Sequence, residues 1–145
     1  MKTFMGAENI SLSYRIFSAK NPIGKILFCT GYNESYVKYL EFISDLNEMN
    51  FSVYCYDHRG QGFSQHFENQ NNRGYVDHFS YFVSDFSLFY RWVKEDEKDL
   101  PIFVLAHSMG AAIVTLALGQ KTIPNPKGVI LSSPMFEINM FHFSF

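Results

Sequence analysis

Leu105-Ala106-His107-Ser108-Met109-Gly110-Ala111-Ala112 is the stretch that decides how this chain is read. It lies between an apolar run at 102–105 and a second run that continues through Ile113, Leu116 and Leu118. A small residue, a spacer, a serine, a spacer and a glycine, set between a strand and a helix, form the pattern of a nucleophile elbow. The serine is forced onto a sharp turn that lifts its hydroxyl above the sheet. Ala106 and Gly110, two before and two after it, are small enough to keep strand and helix clear of that turn. His107 adjoins Ser108, but neighbours on a strand point to opposite faces.

Outward from the elbow, strands and helices alternate. Residues 10–17 alternate apolar and polar side chains (Ile10, Leu12, Tyr14, Ile16), the period of a half-buried strand. Buried strands are expected at 25–29, 51–56, 101–106 and 128–132. A helix is expected at about 35–50, with Ser35 as N-cap and Val37, Leu40, Ile43 and Leu46 or Asn47 on one face. A second, at 79–98, carries Phe82, Phe86, Phe89 and Val93 at helical spacing, with Asp77 and Ser80 as caps. A third runs from the elbow to about Gly119. The polar stretch 65–74 reads as surface loop, and residues 134–145 read as an aromatic, irregular tail. This alternation predicts an α/β fold with a mostly parallel, doubly wound sheet in one domain, 1–145.

Composition agrees with a packed interior. Charged residues make up 18% of the 145, aromatic residues another 18%, with 16 phenylalanines, which excludes a disordered tail. The net charge of −2 and the absence of a basic cluster argue against nucleic acid as a partner. Cys29 and Cys55 fall in apolar runs and read as buried free thiols on neighbouring strands. No Cys/His spacing suits a metal. The N-terminus lacks the apolar core of a signal peptide, and no run reaches the ~18 residues of a membrane span. The expectation is a soluble, cytoplasmic protein that touches membrane peripherally at most.

Acyl transfer needs a nucleophile, a base, a group to orient the base, and donors for the oxyanion. Ser108 supplies the first. The amide of Met109, at the start of a helix, is one donor, and the loop Thr30-Gly31-Tyr32-Asn33-Glu34 offers a second in the Tyr32 amide. Such chemistry needs neither cofactor nor metal.

Four motifs occur in order: Glu34-Ser35-Tyr36-Val37-Lys38-Tyr39, then Tyr56-Asp57-His58-Arg59-Gly60-Gln61-Gly62-Phe63-Ser64, then the elbow, then Ser133-Pro134-Met135-Phe136. Together they resemble the bacterial lysophospholipase L2 family, related to monoacylglycerol lipases and the wider serine aminopeptidase S33 (hydrolase 4) group of α/β-hydrolases. The resemblance implies Ser108 as nucleophile and the amides of Tyr32 and Met109 as oxyanion hole. It makes the turn carrying Asp57, Arg59, Gly60 and Gly62 mainly architectural. It also implies a lysophospholipid or monoacylglycerol as substrate of the complete form. Ala106 stands where most relatives have glycine.

The resemblance also implies a longer chain, with a helical cap and two further strands that carry the triad aspartate and histidine. After Ser108 the one acid is Glu137 and the one histidine is His142, both in the tail. No triad Asp or His is therefore assigned here. Asp57 and His58 are expected to hold their own loop, Asp57 through an Asx turn with Arg59 as ion-pair partner. His66 and His78 read as solvated. The expectation is a truncated or fragmentary hydrolase with little activity alone. Two alternatives stand beside it: half of a split hydrolase completed by another chain, and a non-enzymatic α/β binding module. A dinucleotide site has no GxGxxG turn to support it.

Overall fold

The computed structural model describes residues 2–67 and 74–137. Six strands form one sheet: β1 (Lys2–Met5), β2 (Ser11–Phe17), β3 (Gly24–Cys29), β4 (Phe51–Tyr56), β5 (Ile102–His107) and β6 (Gly128–Ser132). Their spatial order is β1-β2-β4-β3-β5-β6. The β1–β2 and β2–β4 pairs are antiparallel, and the pairs β3–β4, β3–β5 and β5–β6 are parallel. Three α-helices connect them: α1 (Leu40–Glu48), α2 (Ser80–Glu95) and α3 (Met109–Gly119).

β3 is buried along its whole length, as expected of a central parallel strand covered on both faces. Alternate side chains divide the core in two. Leu27, Cys29, Tyr54, Tyr56, Val104 and Ala106 face α2 and α3, whereas Ile26, Phe28, Val53 and Cys55 face α1. The chain leaves β3 for β4 on one side and returns to β5 on the other. The carboxyl ends of β3 and β5 therefore flank a topological switch point, where open α/β sheets form their crevices. Cys29 and Cys55 are free and buried on adjacent strands, as their sequence context predicts.

The helices differ from expectation at their ends. Ser35 does cap the first one, its Oγ accepting from the Val37 amide at 3.5 Å, but residues 36–39 form a 3₁₀ turn before α1 begins. That change of pitch turns Val37 and Leu40 outward, 46% and 45% exposed, while Ile43 is buried. α2 buries Phe82, Phe86, Phe89 and Val93 as its spacing demands. Neither Asp77 nor Ser80 caps it: Phe79 occupies the N-cap position without a side-chain bond. It stops at Glu95 rather than 98, where Asp96 turns to extended geometry (ψ 132°). Buried Lys25, at the start of β3, donates from Nζ to the Val93 carbonyl at 2.7 Å and to the Asp96 carbonyl, satisfying acceptors that the helix end leaves open.

Two further departures concern the sheet edges. β1 was not expected: four residues long, it contributes one half-buried aromatic ring, Phe4, which packs 5.0 Å from Phe89 and 5.7 Å from Tyr56. β6 was expected to be buried and is not. Ile130 is 66% exposed, with Val129 and Leu131 at 37% and 36%, because β6 pairs with β5 on one side and no described strand pairs on the other.

Candidate active site

Ser108 occupies the junction between β5 and α3 with φ 51° and ψ −118°, a conformation that costs about 1–3 kcal/mol for a residue with a side chain. Its neighbours enforce it. The Ser108 amide donates to the Ser132 carbonyl at 3.0 Å, and the Ser108 carbonyl accepts from the amides of Ala111 and Met135, both at 3.1 Å. Gly110 is required by close approach, since a Cβ there would lie 2.3 Å from the Cys29 carbonyl oxygen and 2.5 Å from that of Thr30. Ala106 is fully buried toward α2 and α3, so its methyl finds room in the core. Met109, the first residue of α3, is also buried. Its amide belongs to the helix N-terminus, whose first N–H groups have no intrahelical partner.

The loop after β3 reaches the same point. A Cβ on Gly31 would come 3.2 Å from Ser108 Cβ and 2.7 Å from Glu34 Oε2. The Gly31 amide donates to Glu34 Oε2 at 2.8 Å, and the Tyr39 hydroxyl donates to the same oxygen at 2.6 Å. Lys38 pairs with the other oxygen of Glu34. Partial burial pushes the Glu34 carboxyl up, but Lys38, Tyr39 and the Gly31 amide outweigh it and hold the group below its ordinary range. Asn33 sits at φ 55° with its amide donating to Gln61 Oε1. Tyr32 lies between them, half-exposed.

The 57–64 turn is built differently from expectation. Asp57 forms no Asx turn. Its carboxylate accepts from the Phe63 amide at 2.9 Å, the Tyr36 amide at 3.2 Å and the Ser35 hydroxyl at 3.2 Å, tying the turn to the start of the first helix. Burial pushes this carboxyl above its usual range, only partly offset by those three donors. Gly62, at φ 53°, is required because a Cβ would fall 2.4 Å from Asp57 Oδ2. Gly60, at φ 70°, passes beneath the Tyr75 carbonyl.

Arg59 pairs not with Asp57 but with Asp85 of α2, Nε to Oδ2 at 2.7 Å and NH2 to Oδ1 at 2.8 Å. Both side chains are almost completely buried, the guanidinium lies 4.8 Å from the Tyr81 ring, and Ala7 bonds to the pair through its amide and its carbonyl. Asp85 was missed in the sequence. A carboxylate between Phe82, Phe86 and Phe89 on one apolar stripe was the available signal.

The described histidines have contacts of their own. His58 is fully buried between Tyr56 and Phe82 and donates from Nε2 to the Thr30 carbonyl at 3.0 Å. Burial pushes its pKa below the ordinary value, so it is neutral at pH 7. His107 lines a cavity of about 220 Å³ on the α1 side, with Phe28, Tyr39, Phe42, Leu105 and Ser132. His66 is half-buried, not fully solvated, and bonds the Gly62 carbonyl; His78 is exposed. Glu137 is exposed, and His142 lies outside the described residues. Among the described residues no carboxylate or imidazole hydrogen-bonds the Ser108 hydroxyl. A larger hollow of about 360 Å³ lies at the opposite end of β5, beside Pro101, Tyr90 and Lys94. Among the described residues no group of three or more His, Cys, Asp or Glu could hold a metal, and no helix is long and apolar enough to cross a membrane.

A mostly parallel sheet with a strained serine on the strand-to-helix turn at its switch point is the arrangement of an α/β-hydrolase. The chain matches the family model of the serine aminopeptidase S33 group over residues 20–144, and it belongs to that family. It is 36% identical to lysophospholipase L2 of Escherichia coli strain K12, covering 93% of this chain and 39% of the relative. Monoglyceride lipase of Rattus norvegicus is 31% identical over 81% of this chain and 37% of its own length. Among solved structures, a carboxyl esterase from Bacillus coagulans in complex with glycerol superposes with a TM-score of 0.77 at 25% identity, covering 90% of this chain and 42% of the esterase. The chain thus spans about two fifths of the length of these relatives.

Proposed function

We propose that this chain carries the nucleophile half of a serine hydrolase acting on lipid carboxylic esters. It would form a partial α/β-hydrolase domain over residues 1–145. The observation that carries the reading is Ser108 itself: a positive-φ serine set between the N-terminus of α3 and the loop that bears Gly31. Its Oγ would attack the ester carbonyl as its proton passes to a base. The carbonyl oxygen would take the negative charge, met by the amides of Met109 and Tyr32. Collapse of that intermediate breaks the ester C–O bond and releases the alcohol, and water then cleaves the acyl-serine. The lipid class, lysophospholipid or monoacylglycerol, rests on the names of the relatives in Escherichia coli and Rattus norvegicus. A soluble, cytoplasmic location with peripheral membrane contact belongs to the same proposal.

Base and orienting acid would come from outside the described residues. Loss of triad members leaves only about 10³–10⁴-fold catalysis over water. The purified chain is therefore expected to turn over p-nitrophenyl butyrate within a few-fold of Ser108→Ala. Added imidazole, a diffusible base, should raise the difference between the two proteins. Robust turnover by the chain alone, abolished in Ser108→Ala, refutes the incomplete triad. Equal rates with and without Ser108 at every imidazole concentration refute the nucleophile.

A second reading is favoured by the sheet edge. β6 leaves Ile130 two-thirds exposed, and Val37, Leu40 and Phe42 stand exposed on the same side of the molecule as the α1 cavity. A separate polypeptide offering a parallel strand and an apolar helix would cover both and bring a triad Asp and His. Sedimentation of the chain mixed with such a polypeptide, together with the appearance of esterase activity, tests it.

A further inference from the structure

The loop after β3 is held from two sides by side chains that the proposed reaction does not use. Glu34 takes the amide of Gly31, and Gln61 takes the amide of Asn33. The peptide unit between them is the one that presents the Tyr32 amide. Glu34 is anchored in turn by Tyr39 and Lys38. Gln61 is almost fully buried within a turn whose two glycines are forced into positive φ. Asn33 adopts φ 55°, a left-handed conformation that asparagine takes readily, and its amide bond to Gln61 ties the loop to the 57–64 turn in that path.

We infer that Glu34 and Gln61 are positioning residues that jointly aim the Tyr32 amide at the oxygen developing over Ser108. Neither touches the reacting atoms. They act by fixing the two peptide planes that flank the donor, so that no reorganisation remains when charge appears. Gly31 completes the device: a side chain there would meet both the Glu34 carboxylate and Ser108. Glu34 needs only an acceptor oxygen to hold the Gly31 amide. Its charge serves Lys38, which is largely exposed and ranks second.

The inference rests on the Ser108 reading, and two readouts on the 145-residue chain keep their failures apart. The first is the rate of Ser108-specific phosphonylation by a fluorophosphonate in imidazole buffer. The second is amide hydrogen exchange at Gly31 and Asn33. Misplacing a catalytic group by about 1 Å costs up to about 10²-fold, so Glu34→Ala and Gln61→Ala should each slow phosphonylation at least about tenfold. Glu34→Gln, which keeps the acceptor oxygen, should stay within about threefold of the parent. Gly31 exchange should quicken at least about tenfold in Glu34→Ala, and Asn33 exchange likewise in Gln61→Ala. Rates are compared on the folded fraction, followed by Trp92 fluorescence, so that a purely structural role leaves them unmoved. Unchanged phosphonylation in Glu34→Ala and Gln61→Ala overturns the inference and leaves Ser108 as nucleophile. Absence of Ser108 labelling in the parent overturns the nucleophile instead. Exchange then decides the two-sided clamp, unchanged protection in the variants removing it too.

Discussion

Asp85→Ala strips the buried Arg59 guanidinium of its counterion. Arg59 and Asp85 side chains are 2% and 0% exposed, so water does not replace the carboxylate. Removing one partner of such a pair costs about 3–5 kcal/mol. The Ala7 amide, which donates to Asp85 Oδ1 at 2.8 Å, loses its acceptor at a further cost of about 1 kcal/mol. The Ala7 carbonyl and the Tyr81 ring remain and offset part of this, which puts the expected loss near ~4 kcal/mol. At ~2.1 cal/mol/K of unfolding entropy per residue, a chain of this length would lose about 13 °C in Tm. Urea titration followed by fluorescence of Trp92, which stacks on Phe89 at 5.6 Å, reads the change directly. Asp85→Leu combined with Arg59→Met removes both charges together and should recover most of the loss. A loss below about 1 kcal/mol in Asp85→Ala, or a double variant no better than the single one, would refute the view that this pair locks the N-terminal turn, the 57–64 turn and α2 together.

Three further outcomes are expected. Burial lowers the His58 pKa in the folded chain, so the unfolded chain binds a proton below about pH 6.5 that the folded one resists. Stability should therefore be full above that pH and fall by up to about 1.4 kcal/mol per unit as pH drops toward 5.5. His58→Gln should flatten that slope, and denaturation curves across pH 7.5–5.5 decide it. Gly110→Ala drives a Cβ into two carbonyls and should destabilise by about 1–3 kcal/mol. Gly119→Ala, in open space at the end of α3, should be neutral or stabilise by up to about 1 kcal/mol, so similar melting shifts for the two variants would contradict the packing. Burial pushes both thiols well above their ordinary pKa, so Ellman's reagent should titrate no cysteine in native protein and two in denaturant. Rapid native labelling of Cys29 or Cys55 would contradict their burial.

The parallel strands and the elbow were legible because their signals are local. β3 and β4 are continuous apolar runs between turns, and the spacing around Ser108 names its own geometry. What escaped depends on contacts distant in sequence. Sequence proximity points Arg59 to Asp57, whereas its partner, Asp85, lies on α2. Asp57 proved to need three donors from two segments. Lys25 looked like the edge of a buried run and instead ends α2 from across the sheet. β1 has too few residues to show a period, and β6 looked buried because its apolar composition does not reveal whether a neighbour is present. Glu34 and Gln61 fell inside recognised motifs, yet their hold on alternate amides of one loop emerges only in three dimensions.

Part of the brace on Ser108 comes from β6, at one edge of the described sheet, and from the residues just after it. The Ser132 carbonyl takes the serine amide, and the Met135 amide takes the serine carbonyl. Edge strands open at lower free energy than central ones. Each detachment of β6 would remove the Ser132 bond that helps hold Ser108 at positive φ, leaving the Ala111 amide as its remaining brace from α3. Anything that zips along the outer side of β6 would hold Ser108 in its positive-φ conformation without touching it.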